Sequence, residues 1–281
     1  MVHDGTDIID KEYKDLCAEM YAKGHSFFTY ISDSADSLAS CCRLRNEVSE
    51  NTFSPTSGLT GVKTGSCNVI SLNISRIVQD WAKTSDIYNS TGECINDSDV
   101  ISASIANYLT AILERIYKYH IAYKTMLYEW ESRGMYASSN GGYIQIKDLF
   151  STIGINGLNE AAEFLGLEVS NNSDYIQFLQ LILGTIKEQN AIHSIRDKKK
   201  PFLFNSEVVP AEGLGVKNYN WDKEDGYWVP EGRNLYNSYF YNAHDNTSVL
   251  DKFILHGRQT YQYTDGGFPP VSYLFVFIKR V

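Results

Sequence analysis

Apolar residues recur along this 281-residue chain with two different periods, and the switch between them marks out the elements. Between residues 99 and 133, Ile101, Ile105, Leu109, Ile112, Ile116, Tyr119, Tyr123, Met126 and Trp130 return at steps of three and four. That spacing lines one stripe of a helix. Asp97, Ser98 or Asp99 can cap its start and Gly134 can end it. The expected helix lies against the outside of a sheet or barrel. Residues 12–24 read as an earlier helix with a glycine at its end, and residues 25–32 as a strand. Residues 43–68, rich in Ser, Thr, Gly and Asn, read as a long loop. The apolar run of residues 67–74 reads as a buried strand, and residues 76–83 open a helix. After a turn at residues 138–142 comes "YIQIKDLFSTIGINGLNEAAEFLGL". It reads as extended chain, a glycine loop, and a helix over residues 158–165. Another helix is expected over residues 174–190. "PFLFNSEVVPAEGLG" reads as a strand followed by a loop, and the closing "VSYLFVFI" as a strand. Strands alternating with helices predict an α/β fold.

Composition narrows the classes. The chain is 43% hydrophobic and 21% charged, ordinary for a globular domain with a full core. Its net charge of −9 argues against duplex nucleic acid or an anionic membrane as partner. The one basic run, residues 196–200, reads as a solvated loop, with a phosphate-facing patch as the alternative. The acidic first residues lack an apolar core, and no run of 18 apolar residues occurs, so neither a signal peptide nor a membrane span is expected. Five cysteines without a C-x-x-C pair fit reduced thiols in a cytoplasm and leave no structural zinc site in this chain.

Three stretches carry candidate chemistry. In "SLASCCRLRNE", Cys41 and Cys42 are adjacent, a poor geometry for a disulfide with each other. They read as small buried hydrophobes, as a nucleophile wanting a partner such as His25, or as a thiyl radical site, which needs burial and a close substrate but no base. In "SLNISRI", Asn73 ends a buried strand, next to Ser71. Its amide either satisfies loop backbone or binds the hydroxyls of a polar ligand at the C-terminal end of a strand. In "STIGINGLNEAAEFLG", Gly154 and Gly157 precede a helix, where backbone N–H groups either make a plain turn and cap or hold an anion. "YTDGG" at residues 263–267 is a weaker signal, and the twenty tyrosines read as packing.

Taken in order, "SCCRLRNE", a glycine-rich loop, "GSCNVISLNISRI", "FSTIGINGLNEAAEFLG", "NSEVVPAEGLGVK", "LYNS" and "LDKFILHGRQTYQYTDGG" resemble the catalytic domain of the anaerobic (class III) ribonucleoside-triphosphate reductases, which are glycyl radical enzymes. The resemblance implies that residues 1–281 form one partial catalytic domain of a ten-stranded α/β barrel. A finger loop near residues 38–48 would carry the thiyl cysteine, Cys42 by its place before Arg43, with Cys41 as second choice. The thiyl would take the 3′ hydrogen of a ribonucleoside triphosphate, after which the 2′ hydroxyl leaves as water. Asn73 matches the asparagine that binds substrate hydroxyls, although Ile74 and Ser75 replace the usual Leu-Pro. Ser71, Ile153, Gly154, Asn156 and Gly157 would line the substrate pocket.

The resemblance also implies formate as reductant and a glycyl radical. The motif for that radical, and the four-cysteine zinc site that goes with it, are absent from this sequence. Complementary reductase fragments are therefore expected as partners. A radical S-adenosylmethionine activating enzyme with its iron-sulfur cluster would install the radical, and the full enzyme is expected to be a homodimer. Alone, the chain is expected to be inactive and poorly soluble. The alternatives are a non-catalytic remnant or binding module, or part of an enzyme like pyruvate formate-lyase, which "SLNISRI" and "TIGINGLNEA" match less well.

Overall fold

A computed structural model of the chain describes residues 2–3, 10–23, 30–31, 37–40, 44–47, 65–84, 98–208, 212–237, 239–241, 248, 251 and 254–255. Its centre is a parallel sheet of three strands, hydrogen-bonded in chain order. The strands are β5 (Gly65–Asn73), β6 (Leu149–Asn156) and β7 (Leu203–Val208). β5 reaches β6 through helices α2 (Ile74–Thr84) and α3 (Ser98–Ser132). β6 reaches β7 through α5 (Leu158–Phe164) and α6 (Ser173–His193). Parallel neighbours need such crossovers, and the helices cover one face of the sheet.

Strand alternation then divides the sheet's two faces. Leu72, Ile153, Ile155, Phe204 and Val208 point into the helix-packed core with Ile74, Val78, Leu109, Leu113 and Leu179. Their neighbours point the other way. In register across the strands these are Ser71, Gly154 and Glu207, then Asn73 and Asn156. Thr152 and Asn205 form a lower row on this second face, joined by a 2.7 Å bond from Thr152 Oγ1 to Asn205 Oδ1. One face is thus mainly apolar and the other mainly polar, with neighbours along each strand alternating between them. Ile153, counted with the pocket residues on the sequence pattern, belongs to the apolar face and is fully buried there. Its cross-strand partners Ile70 and Ser206 share that face.

Several expectations hold within three residues at each end. The first helix is α1 (Lys11–Ala22), and α3, α5 and α6 lie where the pattern places them. Gly134 follows α3 with φ 74°, a left-handed conformation that glycine adopts without strain. Within residues 25–32 the described strand is the short β2 (Tyr30–Ile31), parallel to β1 (Val2–His3).

Four expectations are corrected. The loop of residues 43–68 contains β4 (Leu44–Glu47), antiparallel to β3 (Ser37–Ser40), and the first residues of β5. Residues 138–142 begin as a single helical turn, α4 (Ala137–Asn140). The loop after β7 gives way to α7 (Glu212–Glu224). The inward face of α7 is Gly215, Asn218 and Asp222, so no apolar period announces it. In α3 the predicted stripe holds through Ile116 and then turns outward. Tyr119 is 69% exposed, while Tyr117, His120, Lys124 and Tyr128 are buried. Two polar residues occupying inward positions defeat a rule that counts apolar ones.

Candidate functional site

At the C-terminal end of the sheet, β5 stops at Asn73 because its side chain caps α2. Asn73 Oδ1 accepts from the Arg76 backbone N–H at 3.2 Å. Asn73 Nδ2 donates to Asp222 Oδ2 at 2.9 Å, and Tyr236 OH donates to the same oxygen at 2.7 Å. Arg76 Nε donates to Asp222 Oδ1 at 2.6 Å, and Arg76 Nη2 to Asp225 Oδ2 at 2.6 Å. Asp222 is fully buried. Three donors satisfy it, two from the β5–α2 junction and one from Tyr236, and one of them is a cation, which offsets the cost of burying a carboxylate. Burial, with the bond to Asp222, pushes the Tyr236 phenol far above its ordinary range.

Next to it, Asn156 Oδ1 accepts from Asn218 Nδ2 at 2.8 Å, and Asn156 Nδ2 donates to Asn237 O at 3.3 Å. Gly157 has φ 76°, and its N–H donates to Asn237 O at 3.2 Å. A Cβ on Gly157 would lie 3.3 Å from Asn73 Oδ1. Glu160, fully buried in the first turn of α5, accepts through Oε1 from Asn237 N (3.1 Å), Asn237 Nδ2 (2.9 Å) and Arg233 Nη2 (3.0 Å). Burial raises its carboxyl above the ordinary range, against the pull of Arg233 and Asn237. The glycine loop therefore offers an anion less than its sequence suggests, because one N–H is committed and a carboxylate already sits in the first turn. Tight packing holds α7 against this segment. Tyr236 N donates to Gly215 O at 3.1 Å, and a Cβ on Gly215 would come within 2.4 Å of Tyr236 O.

The structure brings Asn73, Ser71, Gly154, Asn156 and Gly157 together at one end of the polar face and leaves Ile153 in the core. Cys41 and Cys42 fall between β3 and β4 in sequence and lie outside the described residues. Sequence reasoning missed Asp222, Asn218, Tyr236, Asn237, Glu160 and Arg233, which complete the network. The available signal was the polar spacing of Gly215, Asn218 and Asp222 at helical steps. Among the described residues, no group of three or more His, Cys, Asp or Glu is placed to hold a metal ion. Nor is any described helix long and apolar enough to cross a membrane.

Comparison with known structures places this architecture. The chain superposes on the anaerobic ribonucleotide reductase from Thermotoga maritima with glycerol in its active site, at TM-score 0.64 and 22% identity, over 95% of this chain and 41% of that one. The structure of the same enzyme with citrate in the active site gives TM-score 0.67 and 19% identity, over 95% and 45% of the two chains. The complex with dATP and CTP gives 0.64 and 20%, over 94% and 41%. The chain thus spans less than half the length of these structures, and its α/β fold with a parallel sheet corresponds to part of their barrel. No curated protein matches it by sequence. Residues 1–277 match the anaerobic ribonucleoside-triphosphate reductase family, and the chain belongs to that family.

Proposed function

We propose that the chain is the catalytic-barrel portion of an anaerobic ribonucleoside-triphosphate reductase, which converts ribonucleotides to deoxyribonucleotides by radical chemistry. The observation that carries this reading is Asn73. In a chain that matches the family over residues 1–277, it stands at the C-terminal end of β5, fixed by Arg76 and Asp222. Strand C-termini are where open α/β sheets receive ligands. The complex of the Thermotoga maritima enzyme with dATP and CTP supports a nucleotide as substrate.

In this reading the Cys42 thiyl takes the 3′ hydrogen of the ribose and becomes a thiol, with Cys41 as second choice. The 2′ hydroxyl then takes up a proton and departs as water, and after two-electron reduction by formate, which leaves as carbon dioxide, the thiol returns its hydrogen atom to the 3′ carbon. Asn73 holds the substrate hydroxyls through the N–H and the Oδ1 lone pair that its two internal bonds leave over. Ser71, Gly154, Asn156 and Gly157 border the same end of the sheet. Formate serves as reductant. A glycyl radical, supplied by sequence outside these 281 residues on another segment or chain, would generate the thiyl. An activating enzyme that uses S-adenosylmethionine and an iron-sulfur cluster would install that radical. The assembly works in the cytoplasm as a homodimer.

The test is an anaerobic pull-down of the tagged full chain from its own cell, read by mass spectrometry and by reductase assay. Recovery of a glycyl radical segment with activity that Cys42→Ala abolishes supports the reading. A chain recovered alone, or activity indifferent to Cys42→Ala and Cys41→Ala, refutes it.

A further inference from the structure

We propose that Asp222 is the positioning residue that sets the Asn73 amide for a substrate hydroxyl. The inference rests on the reading of Asn73 given above.

A carboxamide has two N–H donors and two acceptor lone pairs. In Asn73 one lone pair takes the Arg76 backbone N–H at 3.2 Å, and one N–H goes to Asp222 Oδ2 at 2.9 Å. One donor and one acceptor are left, which is the complement of a hydroxyl. A flipped amide would set Nδ2 against the Arg76 N–H and Oδ1 against the Asp222 carboxylate, two repulsive contacts in place of two bonds. The orientation is therefore locked from both ends. Capping α2 needs only the first contact. The second requires a carboxylate with no exposure, held by Arg76 Nε at 2.6 Å and Tyr236 OH at 2.7 Å. Burying a charge is costly even when it is paired, so a helix cap alone does not account for it. Gly157 adds an independent sign. A side chain there would start 3.3 Å from Asn73 Oδ1, so glycine keeps space beside the oxygen whose second lone pair remains. Asp222 touches Asn73 from α7, on a different segment from β5 and α2, so the amide is set by tertiary structure and not by its own loop.

The experiment is calorimetric binding of CTP and dCTP to the assembly that the pull-down recovers, with thermal unfolding recorded for each variant. Wild type should prefer CTP. Asp222→Asn should bind dCTP as wild type does but lose about tenfold of the preference for CTP, the worth of one hydrogen bond. Asn73→Ala should lose the same preference, and the double variant should lose no more than either single one. A general loss of structure would weaken both nucleotides alike. If Asn73→Ala loses the preference and Asp222→Asn keeps it, the positioning role is overturned while the reading of Asn73 stands. If Asn73→Ala keeps it, or wild type shows none, the reading of Asn73 falls and the inference with it. Should Asp222→Asn fail to fold, Tyr236→Phe decides. It leaves the charge and removes one donor, and it should cost part of the CTP preference with dCTP binding unchanged. An unchanged preference overturns the proposal.

Discussion

The two ends of the parallel sheet handle buried polarity in opposite ways. At the C-terminal end, the Asp222 carboxylate accepts from Arg76 and Asn73 at the β5–α2 junction and from Tyr236 far along the chain. At the N-terminal end, His120 and Lys124 are just as buried but have no carboxylate bonded to them among the described residues. His120 Nδ1 lies 3.0 Å from Asn68 Oδ1. Lys124 Nζ donates to Leu149 O. Burial lowers the His120 pKa to about 4, against a hydrogen bond to the Thr152 backbone, and lowers that of Lys124 as well. The lesson is that burial alone does not make a site. One end invests its polar groups in fixing a side chain, and the other accommodates them by favouring the neutral forms.

Removing the carboxylate should show the contrast most strongly. Asp222→Ala strands Arg76, Asn73 and Tyr236 around a cavity, and a loss of about 3–5 kcal/mol is expected in chemical denaturation. A loss below 1 kcal/mol would mean that the C-terminal network is no more than surface-grade.

Acid should expose the other end. A His whose folded pKa is depressed contributes stability that is fully present above its unfolded value of 6.5 and is lost as pH falls toward the folded value of about 4. The expected loss across that window is about 3 kcal/mol, from 1.36 kcal/mol per unit. Unfolding midpoints between those pH values should converge for wild type and His120→Phe as pH falls. Parallel curves would show that His120 does not titrate in this range.

Gly215→Ala probes the packing that delivers Asp222. Its Cβ would meet Tyr236 O at 2.4 Å, so α7 or the 236 segment must shift. A loss of about 1–3 kcal/mol is expected. Unchanged stability would mean that α7 adjusts freely, weakening the case for a fixed network.

Lys124→Met, at the N-terminal end, should change stability by no more than about 1 kcal/mol. The variant loses one bond to Leu149 O but no longer buries an amine. A loss as large as that of Asp222→Ala would erase the contrast between the two ends.

How much of this was legible follows the same division. Wherever apolar residues carry the packing, sequence and structure agree. β5, α5, α6 and the first half of α3 bury Leu72, Leu158, Leu179, Ile105 and Leu109 as the sequence pattern implies. Where polar residues do the packing, the reading failed. Tyr119 and Tyr123 looked inward by spacing, yet His120 and Lys124 hold the inward positions. α7 looked like a loop because its buried face is a glycine, an asparagine and an aspartate. Asn73 stood out because polar residues are rare at the end of an apolar strand. Asp222, 149 residues further on, had nothing local to mark it as its partner.

Near the start of β5 the pairing slips by one residue. Ser66 faces Phe150 and Asn68 faces Ser151, so Cys67 is supernumerary, a β-bulge. That bulge sets the phase of everything downstream. Lineages could gain or lose a residue at or before it and leave Asn73 where it stands. The same change between Val69 and Leu72 would rotate the strand's upper half, turning Asn73 into the helices and Leu72 toward the polar face. Length variation among relatives should therefore gather on the near side of Cys67 and stop abruptly beyond it.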